Sequence, residues 1–169
     1  MHQTMTNKRI SGAYGAMAQR GVGAYQSSGG GVPPHMIQAV RMLDGLVEQI
    51  GRAHTCDVQK QYEAEYRAVE LATLILSGLL SMIDSRQGTV GANLEKTYRS
   101  LMKALVGVCA MPGSQGQYLR LYDAALELRN AWASICNLPM MPMPEAFAAE
   151  LASNPPVSGR DRRGAAAAE

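Results

Sequence analysis

Between two long amphipathic segments of this chain stands QGTVGANLEKTY, residues 87 to 98, and it constrains the fold more than any other stretch. Gly88 reads as a helix stop and Thr89 as the N-cap of the next helix. Leu94, Tyr98, Leu101, Leu105 and Val108 then recur at steps of three and four. That spacing lays the apolar side chains along one stripe of a helix, because a turn takes about 3.6 residues. The joint is short, so the helices on either side of it must pack as neighbours.

The same period recurs along the chain. A first helix is expected from Pro34, where the missing N–H is no loss, to about His54. Its face reads Met36, Val40, Leu43, Val47 and Ile50. A second, with Asp57 as cap, runs to about Asp84 on Tyr62, Tyr66, Val69, Thr73, Leu76, Leu80 and Ile83. The third spans about Thr89 to Ala110. Ser114 caps a fourth that runs to about Cys136 on Leu121, Ala125, Leu128, Trp132 and Ile135. PEAFAAELA can add a short helix with Pro144 at its start. No period-two alternation bounded by turn residues is found, so strands are not expected. The predicted fold is all-α: an antiparallel up-down helical bundle of four main helices, with short extra helices at either end as an option.

Three regions follow from composition. Residues 1–32 form a Gly- and Ser-rich N-terminal arm, with the linker run SSGGGVPP at residues 27–34. Residues 33–137 are the bundle. Residues 138–169 form a Pro/Ala-rich tail, expected to be mostly disordered outside the short helix. Hydrophobic residues are 47% of the chain but aromatics only 5%, so the core must be aliphatic. The longest greasy run, LILSGLLSMI, is too short to span a bilayer, and no secretory leader is read at the start. A net charge of +2 does not point to a nucleic-acid surface. The basic cluster RDRR, residues 160–163, reads as a solubilising tail rather than a phosphate-binding patch.

Catalytic chemistry has little to stand on. His2, His35 and His54 are isolated, and no Glu-x-x-His pair supplies a di-metal bundle. The glycines of GVGAY and SSGGGV lack the Lys-Ser/Thr of a phosphate loop. Cys56, Cys109 and Cys136 are odd in number and lack metal-ligand spacing, so reduced thiols in a cytosolic protein are expected. Neither cofactor nor metal is predicted.

What remains is a surplus of apolar surface. Met102, Val106 and Cys109 flank the main stripe of the third helix. Leu119, Tyr122 and Leu126 flank that of the fourth, and Ile37 and Leu46 that of the first. These widen the apolar arc beyond the ~100° that one core contact needs. Either a fifth segment of the chain covers them, the arm or residues 144–152, or partner helices do. The eleven methionines suit a surface that accepts another chain.

The helix contents and joints resemble the flagellar secretion chaperone family, FliS, over roughly residues 24–136. Pro34-His35 opens the first helix, and Met42-Leu43-Asp44-Gly45 resembles the family's Leu-Phe/Tyr-Asp/Glu-Gly. Leu80 through Asp84 with Gly88 is similar to its hydrophobic-Asp-x-x-x-Gly turn. Asn93-Leu94 with Tyr98 is similar to its Asn-Leu-x-x-x-Tyr, and Ala131-Trp132 to the Ala-Trp ending its last main helix. The chain departs in GVCAMPGSQG, where the family has a polar joint, and in Ser100-Leu101-Met102 after Tyr98. The resemblance implies a non-enzymatic cytosolic export chaperone. Such proteins hold the C-terminal segment of flagellin, disordered alone, as helices in hydrophobic grooves, and so prevent premature polymerisation. The N-terminal arm would cover part of the groove, with Tyr25 or Tyr14 as the family's tyrosine. The residues expected to meet the partner are Tyr25, Ile37, Met102, Val106, Leu119 and Tyr122. An export-gate component is a second candidate partner; nucleic acid and membrane insertion are not expected. The competing reading is a helical scaffold or regulatory protein that self-associates through the same stripes.

Overall fold

A computed structural model describes residues 32–83 and 88–154. Among them stand five helices and no strand: α1 (Pro34–Val58), α2 (Tyr62–Ser81), α3 (Gly88–Val108), α4 (Gln115–Ile135) and α5 (Glu145–Ser153). The elements among the described residues are all helices because each long segment carries an apolar stripe with helical period and no strong breaker inside it. α1 packs against α2 and α4, α3 against α2 and more lightly α4, and α5 against α4. No helix of the described residues is long and apolar enough to cross a membrane.

The stripes of α1 and α3 face inward as their periodicity requires. Met36, Val40, Leu43, Val47 and Ile50 are buried, and so are Leu94, Tyr98, Leu101, Leu105 and Val108. α2 differs. Its buried side is Glu65, Ala68, Val69, Ala72, Leu76 and Leu79, while Tyr62 and Tyr66 lie 56% and 62% exposed. The helix is therefore rotated so that its tyrosines lie outward, while Val69 and Leu76 of the expected face stay buried and Leu80 and Ile83 are half-buried against the core. Close packing explains the rotation. Small side chains bring α2 against α1, and a Cβ on Gly78 would lie 2.6 Å from the Met42 Cε. Bulky tyrosines at this contact would push the helices apart.

Helix ends also depart from expectation. α1 runs to Val58 and α2 begins only at Tyr62, so Asp57 lies in the last turn of α1 and caps nothing. Between them Gln61 N donates to Cys56 O and Lys60 N to Asp57 O, with Lys60 left-handed at φ 59°. That is a C-terminal lock of the Schellman type, built without the usual glycine. α4 ends alike, with Asn137 at φ 52° and Leu138 N donating to Ala133 O. Gly88 is already the first residue of α3, which places Thr89 inside the first turn rather than at the cap. Ser114 does stand at the α4 N-cap position, but its hydroxyl makes no capping bond. It donates instead to Asp57 Oδ2 at 2.8 Å.

Candidate partner-binding site

Of the six residues expected to meet a partner the structure describes five, and these five do not line one open groove. Tyr25, like Tyr14 and residues 1–31 as a whole, lies outside the described residues, as does the RDRR cluster. Ile37 is half-buried near the start of α1. Leu119 and Tyr122 are 1% and 6% exposed, so in this state they are core and not lining of an open groove. Met102 is half-buried against the core, and Val106 stands 60% exposed one turn further along α3. The flanking stripe of α4 thus turns inward and that of α3 outward. α4 is lined on several sides, by α1, α3 and α5, so a wide apolar arc is what it needs.

The surface over α1 and α4 is covered by the chain itself. After α4 the segment 138–144 folds back, and two side chains of α4 hold it. Arg129 donates from Nη1 to Pro139 O at 2.6 Å and from Nε to Asp44 Oδ1 at 2.6 Å. Asn130 clamps Met141 from both sides, accepting from its N–H and donating to its carbonyl, each at 2.8 Å. Asp44 belongs to the Met42–Gly45 motif, and its task here is to orient the arginine that pins this return. Leu138, Met141 and Met143 pack half-buried against the core.

α5 then lies with Phe147 between α1 and α4. Its ring meets Tyr122 edge-on, centroids 4.9 Å apart at 86°, and His54 at 5.0 Å and 69°. The floor of this socket is Gly51, where a Cβ would sit 3.2 Å from the Tyr122 ring and 3.5 Å from Phe147. A mid-helix glycine costs about 1 kcal/mol relative to alanine. Here it lets two aromatic rings approach the α1 backbone. His54 Nε2 donates to Glu150 Oε1 at 3.1 Å across the edge of the socket. Asn154, just past α5, reaches Gly116 at the start of α4.

At the same end of the molecule buried polar groups tie the loops down. Glu65 is fully buried on α2, and its Oε1 accepts from Tyr118 Oη at 2.6 Å and from Ala110 N at 3.0 Å. The second bond satisfies the N–H of a residue forced to φ 59° after α3. Burial, then the Glu65 hydrogen bond and charge, push the Tyr118 phenol far above its ordinary range. Burial and the Glu65 charge push the Cys109 thiol up, and burial alone raises Cys136. All three cysteines are free, and both shifted ones are held as thiols rather than the nucleophilic thiolate. Among the described residues no group of three or more His, Cys, Asp or Glu could hold a metal.

The open apolar surface is elsewhere. Besides Val106 it includes Tyr62, Tyr66 and Leu74 of α2, each more than half exposed. The α2 tyrosines, expected in the core, belong to this surface. The one signal that could have found it is the run Ala64, Ala68, Ala72 at steps of four, the mark of a close helix contact on another side.

The family model described as "Flagellar protein FliS" matches residues 24–139. No curated protein and no solved structure matches this chain. The matched span takes in α1 to α4 and ends at Pro139, where Arg129 pins the return, so α5 lies beyond it.

Proposed function

The chain belongs to the FliS family, and from that premise we propose that it is a flagellar export chaperone that binds the C-terminal segment of flagellin and keeps it from polymerising early. The family match over most of the chain carries this reading, and the exposed apolar side chains of α2 and α3 support it. The pairings Met42–Gly78, Asp44–Arg129 and Gly51–Tyr122 support an antiparallel up-down bundle of the four long helices. The role needs no covalent chemistry and no cofactor. It needs apolar area on which a disordered segment can fold, so that burial offsets the cost of ordering it. Its place of work would be the cytosol, before export, and an export-gate component is a further candidate partner.

Val106 is the residue of choice for the test, because it is exposed while its neighbour Met102 leans on the core. Calorimetric titration of the full chain with the C-terminal region of flagellin should give a one-to-one complex. Val106→Asp should keep its helical circular dichroism and weaken binding about 10-fold or more, since a charge is costly in a desolvated contact. Wild-type affinity in a folded Val106→Asp chain moves the contact away from α3. A wild-type chain that ignores flagellin but forms a stable homo-oligomer replaces the chaperone with a self-associating scaffold.

A further inference from the structure

The C-terminal return has two parts of unequal strength. Its base, residues 139–141, is fixed by three hydrogen bonds with Arg129 and Asn130, two donated by those side chains and one by Met141 N. Its tip, α5, has nine residues, none of them buried. A helix of that length does not persist on its own and holds only through what it touches. Its specific contacts are few: Phe147 in the Gly51–His54–Tyr122 socket and the Glu150–His54 hydrogen bond. If α5 left, the Tyr122 ring and the bare backbone at Gly51 would face water, and buried His54 would lose its carboxylate. Another helix that offered a large apolar side chain and an acid three positions later would restore both.

We propose that the socket formed by Gly51, His54 and Tyr122 is a docking subsite for an amphipathic helix of the partner, one carrying a large apolar residue followed three positions later by a carboxylate. α5 is its internal, displaceable occupant. The proposal rests on the reading that this chain binds flagellin, and it names one place where a helix of that segment sits. A tethered occupant lowers apparent affinity by the fraction of time the socket is filled. The pinned base keeps α5 close, so it returns as soon as the partner leaves.

The full-length chain and its Phe147→Ala variant, titrated with the C-terminal flagellin segment, decide the matter. Phe147→Ala empties the socket and should bind about 5-fold tighter or more. Glu150→Gln weakens the latch without touching the apolar contact and should tighten binding by less. Glu150→Gln carries the test alone if Phe147→Ala loses more helicity than α5 contributes. Hydrogen exchange on the wild-type complex should show residues 145–153 losing protection while Met141 keeps it. Equal or weaker binding by the variants, or α5 gaining protection in the complex, makes α5 a fixed part of the fold and overturns the proposal. Binding by neither the wild type nor Phe147→Ala removes the flagellin reading itself, and the proposal with it.

Discussion

Glu65 shows how a single residue can tie together three parts of the chain. Its carboxylate joins α2 to the end of α3 through Ala110 and to the first turn of α4 through Tyr118. A buried carboxylate is tolerated only while it is hydrogen-bonded, and its Oε2 already has no partner among the described residues. Tyr118→Phe should therefore cost about 1–3 kcal/mol at pH 7, read from urea unfolding. Tyr118 also sets a pH dependence. Its folded pKa is raised, so its stabilisation is complete below the unfolded value near 10 and falls as pH rises beyond it. Cys109 and Cys136 act with the same sign from about pH 8.5 upward. Urea midpoints should stay flat from pH 7 to 8 and drop above 9, and Tyr118→Phe should lack its share of the drop beyond pH 10. A midpoint that rises with alkalinity contradicts this burial.

Each long helix holds its place through a stripe with one correct rotation. Leu76, Leu101 and Leu128 are each almost wholly buried, on α2, α3 and α4. Replacement by Ala should cost about 2–5 kcal/mol at each site. Tyr66→Ala, on the outward side of α2, should stay within about 0.5 kcal/mol of wild type. The contrast measures the rotation of α2, since the face marked out by its tyrosines would reverse the expectation for Tyr66. The period alone could not settle this. Tyr66 and Val69 differ by three positions and sit on adjoining flanks of the same helix, so either flank can continue a helical period. Packing decided between them: Gly78 lies against Met42 of α1, and Ala68 and Ala72 are buried where Tyr66 is not.

Over the whole molecule the surface is apolar in places and nearly neutral in sum. With a net charge of +2, binding of a largely apolar helical segment should respond only mildly to salt. It should carry a large negative heat-capacity change, as burial coupled to folding requires. Titrations at several temperatures and two ionic strengths check both, and a steep loss of affinity with salt would point to a charged interface instead. Removing residues 1–31 tests the arm: the bundle's melting temperature should shift by only a few degrees while flagellin affinity changes. An unchanged dissociation constant would leave Tyr25 without a role in binding.

Local order in this protein was written in local pattern. The helices and the inward faces of α1 and α3 follow from residues three and four apart, which interact however the rest of the chain is arranged, whereas the caps at Asp57, Thr89 and Ser114 did not form as their residue types suggest. The short helix after Pro144 was legible for the same reason. The covered half of the candidate site was not. Glu65 and Tyr118 are 53 positions apart, Asp44 and Arg129 85, His54 and Glu150 96. Contacts at such separations leave no period in the sequence, because they depend on which helices become neighbours and how each is turned. Tertiary structure alone decided that Tyr122 lies beneath Phe147, that Gly51 makes room for both rings, and that Val106 is left open to solvent.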